Sequence, residues 1–393
     1  MKVLRCILLS FILAILVIPD VFSQDTLKQH AWTVNGYLKD MENVIFTRID
    51  KQWISGNLIH NRLNFNWTIS PSFRFVAGLR TRIFIGDMLT SIPGYGASFE
   101  ADEGLVKLSW NLVSQTSYLL NTSLDRFWLD YSRGKFQVTV GRQRINWGLN
   151  FVWNPNDIFN TYSYLDFDYE EKPGSDAVRL QIYPNSTSRA ELTVKASRDA
   201  RITAAGLYRM NKLGYDFQFL GGIFDGNMIV AGAGWAGQVL KGGFTGELSY
   251  FQPVSKSMDS TGILVAAVGY SYTFRNSLAL QFEALYNGQQ HTDLTSIIGF
   301  SENSSNALSA KNPFLPDFSF FGGITYPFHP LLTGSLSGIY NPVARVYIVI
   351  PSLTLSITNN IDLMLLGQVF EAYGPGMPFT NENLVFLRLK WNF

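Results

Sequence analysis

From Asn383 to Phe393 the chain alternates. Val385, Leu387, Leu389, Trp391 and Phe393 fall on one side of an extended strand, and Phe386, Arg388, Lys390 and Asn392 on the other. Successive side chains of a strand point to opposite faces, so this strand carries one apolar row and one mostly polar row, and the sequence ends on it. The same two-residue period recurs upstream. Arg189, Glu191, Thr193, Lys195 and Ser197 oppose Ala190, Leu192, Val194 and Ala196; Gln281, Glu283 and Asn287 oppose Leu280, Phe282, Ala284 and Tyr286; Thr354, Ser356 and Thr358 oppose Leu353, Leu355 and Ile357. Each such segment has one wet face and one dry face. If the dry faces meet lipid, every backbone polar group in the bilayer must be paired within the protein, and the strands have to close on themselves. The expected fold is an all-β transmembrane antiparallel barrel.

Composition points the same way: Gly 33, Tyr 18, Trp 9 and Phe 30 are high counts, while charged residues make up only 16%. Lys2 and Arg5 precede an apolar run from Ile7 to Ile18, followed by Pro19, Asp20 and the small residue Ser23. This reads as a secretory signal peptide, residues 1-23, cleaved before Gln24. The run is shorter than the roughly 20 residues a spanning helix needs, and nothing after it is apolar for that length. Cys6, the single cysteine, lies inside it, so the mature chain, 24-393, has no disulfide, thiolate ligand or thiol nucleophile. Of 31 basic and 30 acidic residues the signal takes two and one, leaving formal neutrality, which argues against nucleic acid as a partner. No linker, charge run or low-complexity stretch divides residues 24-393, so they read as one domain.

Turn residues set the strand count. Short turns fall at Ser70-Pro71-Ser72, Arg133-Gly134-Lys135, Pro184-Asn185-Ser186, Asn211 to Gly214, Lys241-Gly242, Arg275-Asn276, Pro327 to Pro330 and Asn359-Asn360. They alternate with longer or more irregular links, the outer-membrane pattern. About eighteen strands result, or sixteen if the ambiguous regions 31-57 and 104-118 are not strands. An even number puts both chain ends in the periplasm.

With the apolar rows in lipid, the opposite rows line a lumen. They offer Arg74, Arg80, Arg82, Arg126, Asp130, Arg179, Arg189, Glu191 and Lys195, a broad basic wall in the first half of the chain. A barrel of this size leaves a lumen that wall side chains alone do not fill. In strand 135-147, strict alternation puts Arg142 and Arg144 on the lipid side with Val138 and Val140. A β-bulge at Gly141 would turn both inward; the alternative is that they lie beyond the hydrocarbon band. The following loop, 148-175, carries Asp157, Asp166, Asp168, Glu170 and Glu171 among Trp153, Asn154, Tyr162, Tyr164, Phe167 and Tyr169. Solvated loops are seldom so aromatic. Folded into the barrel mouth, it would bury its rings and set its acids against the arginines across a narrow aqueous gap; the plainer alternative is an extracellular lid.

The run Gly-Arg-Gln-x-Ile-x-Trp-Gly at 141-148, Trp-Asn-Pro-x-Asp at 153-157 and the aromatic-terminated last strand resemble porin-like proteins of Gram-negative outer membranes. More distantly the chain resembles the alginate-export type of eighteen-stranded channel. The resemblance implies passive diffusion of a small or anionic solute, with Trp391 and Phe393 as the signal read by the barrel-assembly machinery. The partners it implies are outer-membrane lipid, that machinery and a small solute, with the chain expected as a monomer.

Two other classes compete. An outer-membrane enzyme would need a base and a nucleophile on the wall. The histidines are only His30, His60, His291 and His329, and no His-Glu-x-x-His, Gly-x-Ser-x-Gly or phosphate-cradling loop is present. The carboxylates of 157-171 lack the spacing of a calcium loop, so neither metal nor cofactor is expected. A structural or assembly partner of an envelope complex fits the sequence as a second reading.

Overall fold

The computed structural model describes residues 31–92, 94–160, 163–166, 173–254, 261–289, 308–373 and 380–393. The segment read as a signal lies outside them. Nineteen strands form one antiparallel sheet. They are β1 (Trp32–Phe46), β2 (Ile54–Ser70), β3 (Phe73–Gly86), β4 (Ser109–Ser114), β5 (Tyr118–Arg133), β6 (Phe136–Gln143), β7 (Ser175–Asn185), β8 (Ser188–Ala196), β9 (Ile202–Lys212) and β10 (Tyr215–Phe224). After these come β11 (Met228–Val239), β12 (Gly242–Pro253), β13 (Ile263–Thr273), β14 (Ala279–Asn287), β15 (Asp317–His329), β16 (Leu332–Asn341), β17 (Val346–Thr358), β18 (Ile361–Ala372) and β19 (Thr380–Asn392). The sheet closes where β1 pairs with β19, from Tyr37 opposite Asn392 to Phe46 opposite Asn383. Closure leaves no sheet edge with unpaired amides.

Eighteen strands make the wall, because β4 and β6 share one edge of β5. β6 pairs with its lower part, from Arg133 to Phe127, and β4 with its upper part, from Ser123 to Leu119. The expected count of eighteen holds, and sixteen is excluded. Links that bring the even wall strands back up are short, two residues at 71–72 and five at 274–278, while those at the other end run as long as 87–108 and 144–174. Trp32 and Phe393 both lie at the short-turn end. Helix among the described residues is limited to two single turns within the 87–108 link, Met88–Ser91 and Tyr95–Ser98. No helix among the described residues is long and apolar enough to cross a membrane.

Alternation in sequence becomes alternation in burial. On β14 Phe282 is exposed on the outside, whereas Glu283, Leu285 and Asn287 are buried on the inside; on β17 Leu353 and Ile357 face out. On β5 one extra residue interrupts the pattern: Gly78 of β3 pairs with Arg126 and Leu79 with Leu124, leaving Asp125 as a bulge. At Gly141 the expected bulge is absent. β6 runs one-to-one with β5 and β7 there, Trp128 opposite Gly141 and Gly141 opposite Ala177. The break is made by conformation instead, since Gly141 takes φ +117 and a Cβ at that position would collide with the carbonyl oxygen of Phe127. Only glycine adopts this backbone readily. Arg142 and Gln143 are then both buried in succession, and the strand ends at Gln143, four residues earlier than the sequence pattern suggested.

Candidate functional site

The chain leaves the wall after Gln143 and rejoins it at Ser175. In between it crosses the barrel interior, touching inward side chains from β8 to β18: Glu191, Arg209, Gln218, Glu247, Glu283, Phe321, Ser337 and Gln368 all bond to it or pack on it. Ile145, Trp147, Trp153, Ile158 and Phe159 are fully or almost fully buried. Burying each such side chain is worth about 1.5–3 kcal/mol, which accounts for an aromatic loop lying inside and not out in water. Arg144 and Asn146 belong to this segment, and Arg144 is exposed on it, contrary to its expected place on a wall strand.

Two wall carboxyls hold the segment by its backbone. Glu283 on β14 accepts from the amides of Phe151 (3.2 Å), Val152 (2.9 Å) and Trp153 (2.6 Å). Glu247 on β12 accepts from Leu149, Asn150 (2.9 Å) and Asn156 (2.8 Å). Six backbone donors of a non-regular stretch are thereby satisfied, which buried amides require. The wall opposite has to be bare for the backbone to come this close. Gly232 and Gly234 of β11 supply that, since a Cβ on either would sit 2.8 Å or 3.0 Å from the Asn156 side-chain amide. Asn156 itself donates to the carbonyl of Ala233 (3.0 Å) and accepts from Ser249 (2.7 Å).

The motif residues mostly bind the segment to itself and to the wall. Trp147 donates its indole N–H to Glu191 (2.6 Å), packs edge-on against Phe159 (4.8 Å), and its carbonyl accepts from Arg209 (3.1 Å) and Gln218 (2.8 Å). Asp157 accepts the amide of Trp147 (3.1 Å) and donates its own N–H to Asn154 across the Pro155 turn (3.0 Å). Asn160 ties the two ends together through Ile145, Pro173 and Ser175. Trp153 packs on Phe314.

The expected acidic face opposite a basic wall is not formed by the described residues. Asp157 is spent on the segment's own backbone and Asp166 is exposed; Asp168, Glu170 and Glu171 lie outside the described residues. The carboxylates that meet arginines are elsewhere, many of them on wall strands. Asp125 pairs with Arg62 (2.6 Å) and lies 3.7 Å from Arg126, and Glu191 pairs with Arg179 (2.7 Å) and more loosely with Arg189 (3.6 Å). Other inner-row cations bond to neutral groups: Arg74 to Asn66 and over Trp128, Arg80 to His60 (3.0 Å), Arg82 to Asn121 (2.8 Å), Lys195 to the carbonyl of Phe159 (3.0 Å). Asp130 accepts from Ser132, Gln137 and Thr139. Lys39 and Arg62, both buried, went unrecognised in the sequence, although Tyr37, Lys39 and Met41 follow the two-residue period.

Arg142 is also not a lumen charge. Its guanidinium is buried between Asp102 (2.7 Å) and Asp176 (2.6 Å) and donates to the carbonyl of Val106 (2.7 Å), so it fastens the 87–108 link to the wall. Asp102 lies in that link. Burial opposes its charge, but Arg142 and the amides of Leu108 and Gly104 outweigh this and hold its carboxyl below the ordinary 3.8. A lowered folded-state value stabilises above the ordinary value, and that contribution is lost as pH falls through the lowered one. Arg142→Met leaves two buried acids without a cation and is expected to cost about 3–5 kcal/mol. Thermal unfolding checks this: the gap in midpoint between wild type and variant is wide at neutral pH and narrows below pH 3.8.

Among the described residues no three His, Cys, Asp or Glu side chains gather as a metal site. No family model matches the sequence, and no curated protein matches it. Solved structures do match in fold. The OccAB4 structure from Acinetobacter baumannii superposes with TM-score 0.58 at 12% identity, covering 93% of this chain and 99% of that one. OccK8 (OprE) from Pseudomonas aeruginosa gives 0.57 at 10%, covering 92% and 98%, and OccK11 (OpdR) from the same organism 0.56 at 10%, covering 92% and 96%. At these identities the likeness is one of fold, that of a closed antiparallel β-barrel. The expected likeness to alginate-export channels is not shown by these structures.

Proposed function

We propose that the chain is an outer-membrane channel through which small hydrophilic, anionic solutes diffuse passively, narrowed by the 144–174 segment. The observation that carries the reading is that segment, fixed across the interior of an eighteen-strand wall by Glu247 and Glu283. A wall of this circumference encloses more space than its own side chains occupy, and one crossing segment narrows such a space. The preference for anions follows from the inner rows of β2, β3 and β19. Arg80, Arg82 and Arg388 stand there, whereas Arg62 is already paired with Asp125, and Arg74 and Lys390 lie opposite Asp130 and Asp362.

In this reading the outward rows contact lipid and the short-turn end is periplasmic. The assembly machinery would read Trp391 and Phe393 before closure, because in the finished barrel the backbone of Phe393 is paired with Gly36 in both directions (2.9 and 3.0 Å). The chemistry asked of the residues is binding and exclusion, with no bond made or broken.

Proteoliposomes loaded with small solutes of matched size and opposite charge test the proposal. Anions are expected to leave faster than cations, and Arg80→Gln with Arg388→Gln to reduce the ratio. Arg142→Met, its charge already matched by two acids, is expected to leave the ratio alone. A folded barrel that releases neither solute and copurifies with another protein would favour the structural or assembly role instead.

A further inference from the structure

On the inner wall at the short-turn end, Arg189 of β8 and Arg209 of β9 stand directly opposite one another. Like charges placed so destabilise a sheet, and something has to offset the cost. The neighbours do so only in part. Glu191 takes two bonds from Arg179 (2.7 and 2.8 Å), one from Trp147 and one from Gln181, and reaches Arg189 only at 3.6 Å. Arg209 bonds to uncharged groups, the Gln218 side chain (2.9 Å) and the carbonyl of Trp147. Among the described residues no hydrogen bond reaches Arg189, and its Nε is buried without a hydrogen-bond partner. Three guanidiniums therefore face Glu191, and the other carboxylate on the same lining, Asp216, is engaged by Asn211 (2.7 Å).

Both arginines line a cavity of about 430 Å³ between the wall and Leu149 of the crossing segment, with Ser186, Thr187 and Ser188 at its other side. The cavity is separate from the arginine row on β2, β3 and β19. We propose that it is an oxyanion subsite at the short-turn end of the pathway, and that it takes a dianionic, tetrahedral group of the phosphate class. The Arg189 guanidinium, held only loosely by Glu191 through its buried Nε, keeps its terminal nitrogens for a bidentate fork to such a group. A second arginine alongside matches a second negative charge, and the Ser186 hydroxyl on the same lining adds a donor for a third oxygen, the Thr187 and Ser188 hydroxyls being given to Asn185. Arg209 keeps its bonds to the crossing segment, so an occupied subsite lies directly beneath the constriction. The inference rests on the channel reading and deepens it by naming the group recognised.

Calorimetric titration of the folded, detergent-solubilised protein with inorganic phosphate tests it. Saturable binding is expected, weakened about tenfold or more in Arg189→Gln and in Arg209→Gln, as the loss of a charge-assisted bond implies. Arg275→Gln, in an exposed turn, serves as the control and is expected to bind as wild type does. If acetate displaces phosphate at equal concentration, the dianionic class is wrong. If phosphate does not bind a protein that conducts chloride, the subsite is overturned while the channel stands; if phosphate binds to a barrel that conducts nothing, the channel reading falls and the subsite remains.

Discussion

Replacing Glu247 and Glu283 together with alanine is expected to raise single-channel conductance several-fold. The two carboxyls accept from six backbone amides between Leu149 and Asn156. An amide left buried without an acceptor costs about 1–3 kcal/mol, and in a wet lumen these amides have an alternative, which is to turn toward water. The crossing segment then leaves its track and the pore widens. The wall is untouched, because both residues sit in strands whose ladder bonds do not involve their side chains. Limited proteolysis gives an independent check: new cleavage is expected between residues 144 and 174 in the double variant, with no cleavage elsewhere in the barrel. Unchanged conductance together with unchanged cleavage would mean that burial of the rings holds the segment without the acids.

Trp147→Ala is expected to cost about 3–5 kcal/mol, the usual penalty for emptying a buried aromatic site. It removes the indole donor to Glu191 and the ring that packs on Phe159. Glu191 keeps Arg179, so its charge is still matched. The loss should therefore appear in the segment before the wall: hydrogen exchange at Ile145 to Phe159 speeds up, while the β8 to β12 amides stay protected. Trp147→Phe restores the packing without the indole donor and should recover most of the loss. Equal acceleration in segment and wall would place Trp147 in a global core.

How much of this could be read from the sequence follows from what a period can carry. Alternation assigns each residue of β14 or β17 to a face, and lipid on one side makes that assignment strict, so the barrel, its eighteen strands and the inward row around Glu283 were legible. Alternation does not say which inward side chains meet across the interior. Glu283 and Val152 are 131 positions apart, and their contact depends on how far around the wall the segment travels. The acids of 148-175 suggested a charged face for the same reason that misled the reading of Arg142, because formal charge shows in a sequence and its neutralisation by Asp102 and Asp176 does not. Gly141 was recognised as the point where alternation breaks, but a glycine with positive φ and a bulge leave the same trace in sequence. β4 was missed as a partner of β5 because a six-residue strand inside a long link carries too little pattern.

The central claim is that the interior is an open path made narrow by the 144–174 segment. Single-channel recording of the unmodified protein in a planar bilayer under a salt gradient tests it most directly. The account predicts steady, small current steps with a reversal potential on the anion-selective side. A correctly folded barrel that inserts and carries no current would contradict it.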